Sequence, residues 1–289
     1  MDGKIKTVFD AAREIKNKRV SLSEKALSYI SELAEILIDE ADEDEIFFRD
    51  ESFISRYRSL TELPNESNVA PFNENEVNAL ERQLNVTEKA LLCLMLSDGL
   101  GFVGIEGSGT FFDDPPRASG ETVACVKSRP SDDAYISFTA DMAEPRVSYV
   151  HDLNEVCESV LYGKTAYGIL PTSGAKPMLQ KHGLKISRRL KINNGDGNDA
   201  AFVLIKKDLD IPESAENAYF EFAVKTDDPS KILLASEACS MKPIGIAYTA
   251  ESKTLSLTLS ISESGFCGFL TYLSLNYPDF VPYGIYKEL

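Results

Sequence analysis

The last seventy or so residues constrain the fold most, because two hydrophobic periods alternate there in a fixed order. Residues 219–224 alternate as a strand. Asp227-Asp228-Pro229-Ser230 is a turn that starts a helix carrying Ile232, Leu233 and Ala235 on one face. Residues 244–249 and 254–261 are two further strand patterns, joined by the polar turn Glu251-Ser252-Lys253. Residues 266–275 form an apolar second helix stopped near Pro278, and residues 281–286 close the unit as a strand. Period-2 runs alternating with period-3.6 runs in this order predict a βαββαβ sandwich of the ferredoxin-like kind.

A chain of 289 residues has room for two or three domains with real cores. Hydrophobic content of 43% and a charged fraction of 26% suit a globular protein. The net charge of −16 argues against nucleic acid and against an anionic membrane surface, both of which would be repelled. A small anionic ligand stays open, since a local pocket can be basic or use backbone amides. Met-Asp-Gly-Lys-Ile-Lys at the start lacks the apolar run of a signal peptide, so the expected location is cytoplasmic. Cys93, Cys125, Cys157, Cys239 and Cys267 are widely spaced and odd in number, which predicts buried thiols, no metal site and no cofactor.

Ahead of the C-terminal unit the grammar changes twice. Residues 1–63 read as helical, with Ser21-Leu22-Ser23-Glu24 as a capping box before a stripe of Leu22, Ala26, Leu27, Ile30, Leu33, Ala34 and Leu37. The acidic run over 39–45 reads as a solvated loop, and residues 63–75 as a linker. Helices over 74–84 and 89–96 follow, the second capped by Asn85-Val86-Thr87-Glu88. Residues 101–112 and 122–126 suggest a β-ribbon, hence a winged-helix shape. The Gly-rich run over 104–112 lacks the Lys and the following helix of a phosphate loop and reads as a turn. From about 121 to 210 strands (122–126, 147–150, 167–170, 201–205) alternate with helices (135–143, 152–161, 176–182), predicting a mainly parallel sheet with ligands beyond its carboxyl ends. His151 and His182 read as capping or surface residues. Lys185, Arg188, Arg189 and Lys191 read as a solvated basic cluster, and residues 193–198 as a flexible turn.

Within that α/β stretch the segment DLNEVCESVLYGKTAYGILP, from Asp152 to Pro171, resembles the run SFEEVFEAVExGxADYGVxP of the prephenate dehydratase family. The unit that follows resembles an ACT domain, a module that usually binds amino acids at interfaces and regulates an attached domain. The resemblance covers roughly residues 122–289 and implies a truncated periplasmic-binding-like α/β domain followed by an ACT-like domain.

Carried over position by position, the family's machinery is largely missing. Its G-x-x-G-[AT]-[YF]-S loop falls on Pro130-Ser131-Asp132-Asp133-Ala134-Tyr135-Ile136, without either glycine, and P-x-E-N-S falls on Pro171-Thr172-Ser173-Gly174-Ala175. N-x-T-R-F falls on Asn198-Asp199-Ala200-Ala201-Phe202, so alanines replace the threonine implicated in the reaction and the carboxylate-binding arginine. An alanine methyl can neither donate to a leaving hydroxyl nor pair with a carboxylate. Roughly twenty-five residues separate Pro171 from Asn198, too few for the family's second lobe. The effector motifs G-A-L and E-S-R-P fall on Ser230-Lys231-Ile232 and near Ala247-Tyr248-Thr249-Ala250, without a match.

The resulting expectation is an α+β / α/β multidomain chain. It has a helical region over 1–120 with a winged ribbon, a shortened dehydratase-like domain over 121–212 and an ACT-like domain over 213–289. The resemblance implies a catalytically degenerate protein that senses a ligand in aromatic amino-acid (phenylalanine) metabolism, with no catalytic residue. Ligand contacts are expected at Ser128, Asp132, Tyr135, Thr172, Ser173 and Asn198, and regulatory ones at Ser230, Lys231, Ile232, Tyr248 and Thr249. The ligand class is an aromatic amino acid or a prephenate-like acid, and the ACT-like unit is expected to form a homodimer. Two alternatives stand beside this: an active dehydratase converting prephenate to phenylpyruvate, CO2 and water, and a purely dimerising interaction protein.

Overall fold

A computed structural model describes residues 24–39, 51–62, 84–100, 121–192, 200–209, 215–262 and 264–289. Among them the chain forms a mixed α/β structure around one nine-stranded sheet. No helix among these residues is long and apolar enough to cross a membrane.

The α/β half begins with β1 (Thr122–Val126), α4 (Arg129–Phe138), β2 (Arg146–Val150), α5 (Leu153–Leu161) and β3 (Tyr167–Pro171), preceded among the described residues by three N-terminal helices. Strand β1 pairs in parallel with both β2 and β3. With both edges taken, residues 122–126 are not available as the ribbon partner of 101–112, which lie outside the described residues. Helix α4 starts earlier than the expected 135–143 because Ser128 caps it, accepting from Ser131 N, and Pro130 fits the first turn, where its missing N–H costs nothing. Asp152 caps α5 in the same way.

After α6 (Ala175–His182) the parallel grammar ends. Strand β4 (Lys185–Ile192) pairs antiparallel with β5 (Ala200–Lys206), and β5 runs antiparallel to β3. The expectation of a mainly parallel sheet is thus corrected to a mixed one. The basic cluster read over 185–191 is itself a strand. Its period is hidden by a bulge between Ile186 and Arg188, which buries the adjacent Ile186 and Ser187. Its charges are engaged rather than solvated together. Arg188 forms a bidentate pair with Asp141 at 2.7 and 2.8 Å, Lys185 donates to the Pro282 carbonyl at 2.8 Å, and Lys191 pairs with Glu288 at 3.4 Å.

The C-terminal half runs β6 (Ala218–Lys225), α7 (Pro229–Ala238), β7 (Lys242–Thr249), β8 (Thr254–Ser260), α8 (Phe266–Asn276) and β9 (Val281–Glu288). These six elements follow the expected order with ends shifted by a few residues at most. Its four strands are antiparallel in the order β9-β6-β8-β7. Parallel pairing of β9 with β4 joins the two halves into one sheet. Strand β7 forms the outer edge and leaves Ile244, Ile246 and Tyr248 exposed.

Three N-terminal helices, α1 (Glu24–Asp39), α2 (Glu51–Thr61) and α3 (Val86–Gly99), share a core with α7 and α8. On α1, Ala26, Ile30, Leu33, Ala34 and Leu37 are buried at the expected helical spacing, while Leu27 lies off the stripe and is exposed. The expected Asn85/Glu88 capping box is present, with reciprocal bonds of 3.0 Å. Asn276 on α8 donates to the Tyr57 hydroxyl on α2 at 3.1 Å, tying the helices to the C-terminal half.

Candidate functional site

A sheet covered by helices on one face presents alternate side chains to the other. In β6, Phe220, Phe222 and Val224 enter the core shared with α7 and α8, so Glu221 between them points to the opposite face. In β8, Leu255, Leu257 and Leu259 do the same and leave Ser256 and Thr258 facing away. On that side a cavity of about 400 Å3 opens between the two halves of the sheet, within the usual range for small-molecule sites. Beyond Glu221, Ser256 and Thr258, its polar wall comprises Thr172, Lys176 and Arg189. Ile186, Val203 and Ala247 supply apolar surface.

Glu221 is only 4% exposed, and its charge is held from two directions. Lys176 on α6 brings its Nζ to 2.6 Å from Oε1, and the Tyr286 hydroxyl on β9 donates to Oε2 at 2.9 Å. Burial, and next the Glu221 charge, push the Tyr286 phenol well up, so it stays a donor. Lys176 also donates to Ser256 Oγ at 2.9 Å and lies over the Tyr283 ring. Arg189 reaches Tyr286 Oη at 3.4 Å and Glu288 at 3.8 Å. Its Nε is buried without a partner, as is Thr172 Oγ1. Of the four such orphaned atoms among the described residues, these two belong to residues lining the cavity, while Thr165 Oγ1 and Thr271 Oγ1 lie elsewhere.

Helix α6 contributes its N-terminal end, capped by Gly174 in the left-handed region at φ 85 without a side-chain cap bond. In its first turn the Ala175 N–H donates to the Thr172 carbonyl at 3.3 Å and Pro177 has no N–H, which leaves the Lys176 N–H as the donor that no side chain caps.

Of the residues expected to bind ligand, Thr172 lines this cavity and Ser173 follows it in the same loop, outside the lining. Ser128, Asp132 and Tyr135 do not reach it. Ser128 spends its hydroxyl on Ser131 at 2.8 Å, and Asp132 accepts from the Tyr149 hydroxyl at 2.9 Å. Tyr135 packs with Phe138 in the cluster under α4, which excludes the α5 and α6 residues. Asn198 lies outside the described residues. Among the regulatory positions, Ile232 is fully buried core, and Ser230 bonds Asp228 in the first turn of α7. Lys231 is exposed there, Thr249 pairs with Thr254, and the Tyr248 hydroxyl donates to the Thr226 carbonyl at 3.3 Å. His151 donates its backbone N–H to Glu155 and His182 sits 3.1 Å from Asn154, in keeping with capping and surface roles. The Ala201 carbonyl accepts the Thr172 backbone N–H at 2.8 Å.

Sequence reasoning missed Glu221, Lys176 and Arg189 as a group. The signal for Glu221 was present: a lone carboxylate in the middle of Tyr219-Phe220-Glu221-Phe222-Ala223-Val224. A charge there needs a partner from another element.

No family model and no curated protein matches the chain. Several solved structures resemble part of it. The prephenate dehydratase of Streptococcus mutans overlaps with a TM-score of 0.47 and 11% identity, over 58% of this chain and 98% of that one. A prephenate dehydratase from Arthrobacter aurescens in complex with L-Phe gives 0.46 and 12%, over 57% and 90%. GqqA, described as a novel type of quorum quenching acylase, gives 0.45 and 12%, over 57% and 94%. Likeness at this level carries no functional argument, and the reading of the site rests on its own residues.

Proposed function

We propose that the chain is a non-catalytic binding protein whose ligand is a small organic acid held in the cavity between the two halves of the sheet. The observation that carries the reading is the orphaned Arg189 Nε and Thr172 Oγ1 in the wall of a 400 Å3 cavity that also holds Lys176. The absence of catalysis rests on Ala200 and Ala201, whose methyls have no group able to protonate a leaving hydroxyl or clamp a carboxylate. The link to aromatic amino-acid metabolism rests on the resemblance of residues 152–171 and makes aromatic acids the first compounds to try. A sensing role follows from the cavity's position, since a ligand there touches both halves at once.

Dimerisation through the C-terminal unit belongs to the same proposal. Edge strand β7 exposes Ile244, Ile246 and Tyr248 beside an unpaired row of backbone groups, the arrangement through which strands add to strands.

The test is calorimetry of the purified chain with phenylalanine, phenylpyruvate and prephenate, beside a prephenate turnover assay against a no-enzyme control. Binding without turnover, weakened at least tenfold in Arg189→Met, is the expected result. Turnover lost in Thr172→Val or Asp132→Asn would mean a rebuilt active site and would sink the non-catalytic reading.

A further inference from the structure

We infer that the cavity selects carboxylic acids that lack an α-ammonium group, 2-oxo and 2-hydroxy acids, over the matching amino acids. The inference rests on the binding role proposed above and adds what the site discriminates.

The wall is rich in donors. Arg189 Nε and Thr172 Oγ1 have no partner, and Lys176 spends two of its three N–H groups on Glu221 and Ser256. The first turn of α6 adds the Lys176 backbone N–H, which has no side-chain cap. All of these suit a carboxylate and an adjacent carbonyl or hydroxyl oxygen.

The one acidic acceptor for an ammonium already has a partner on each oxygen. Glu221 carries the one carboxylate among the lining residues, with Oε1 held by Lys176 at 2.6 Å and Oε2 by Tyr286 at 2.9 Å. A ligand ammonium drawn to Glu221 would lie against the Lys176 ammonium, and like charges in a half-enclosed site repel. Charge arithmetic agrees: Lys176, Arg189 and the neighbouring Lys191 against Glu221 and Glu288 leave one net positive charge at the wall. A monoanionic carboxylate neutralises that charge. A zwitterion leaves it in place, and a phosphate dianion would overshoot it beside Glu221.

The apolar part of the acid would meet Ile186, Val203 and Ala247. The volume admits a side chain as large as a phenyl ring, so the discrimination lies at the α-position rather than in size.

Matched pairs test this directly: phenylpyruvate and phenyllactate against phenylalanine, and 4-methyl-2-oxopentanoate against leucine, by calorimetry with the full chain. The oxo and hydroxy acids are expected to bind at least tenfold more tightly than their amino-acid partners. That preference should shrink in Arg189→Met and be partly restored in Arg189→Lys, each variant first shown to melt cooperatively. Amino acids binding as tightly as their oxo partners, through a site lost in Arg189→Met, would overturn the selectivity while leaving the binding role intact. No binding by any acid of either series would overturn both.

Discussion

Gly268, in the first turn of α8, packs against Leu94 of α3, and replacing it by alanine sets helix propensity against that packing. In an unhindered helix, Gly→Ala stabilises by about 1 kcal/mol through lower backbone entropy in the unfolded chain. Here a Cβ at position 268 would lie 2.4 Å from Leu94 Cδ2, 2.7 Å from Cγ and 2.8 Å from the Leu94 Cα. The side-chain carbons can yield by rotation, but the backbone carbon cannot. Normal carbon contacts need roughly 3.5–4.0 Å, so α3 must back away from α8 by the better part of an ångström. Overpacking of that kind costs about 1–3 kcal/mol, which outweighs the helix gain. At roughly 2–4 °C per kcal/mol for a chain near this size, the melting temperature of Gly268→Ala drops by several degrees, and the urea midpoint falls with it. A double-mutant cycle with Leu94→Ala assigns the cost: most of the penalty at 268 should remain, since the Leu94 Cα stays when Cγ and Cδ2 are gone. A Gly268→Ala protein as stable as the parent, or more so, would refute the packing of α3 on α8.

Three further outcomes are expected. Asn85→Ala removes the capping box of α3 and should cost about 1 kcal/mol in urea unfolding, with Asn85→Asp close to neutral. Gly284→Ala would push a Cβ to 2.3 Å from the Ile186 carbonyl oxygen at the β4–β9 seam; hydrogen exchange should show the amides of both strands losing protection, with about 3 kcal/mol lost. Burial pushes the thiols of Cys125, Cys157 and Cys267 up to about 11 and that of Cys239 to about 12. These folded-state values exceed the unfolded value of roughly 8.5, so the stability they contribute is intact below it and is lost as pH climbs toward 11–12, at up to about 1.4 kcal/mol per pH unit for each thiol. Urea midpoints that stay flat between pH 8 and 10.5 would contradict this.

The C-terminal half was legible because its strands alternate cleanly and each helix has a turn before it: Asp228 and Pro229 open α7, and Pro278 follows α8. Helix α3 was legible from two residues, Asn85 and Glu88. Strand β4 was not, since a bulge at Ile186/Arg188 breaks the alternation and four cations disguise a half-buried strand as a solvated run. The cavity escaped for another reason. Lys176, Arg189 and Glu221 are brought together by the β4–β9 pairing, a contact between positions a hundred residues apart that leaves no local trace. The resemblance to dehydratases directed attention to the strand ends at Ser128, Asp132 and Tyr135, which α4 holds over the other face.

Strand β9 sits between β4 and β6 although it follows both in the chain. As the polypeptide leaves the ribosome, the α/β half must wait with one edge of β4 bare, and β6 waits likewise. Neither edge is covered until residues 281–288 emerge and slot between them. Waiting edges are templates for wrong partners. Completion of the sheet therefore waits for β9, and a pause or cleavage anywhere before Val281 leaves bare two strand edges that the folded chain pairs.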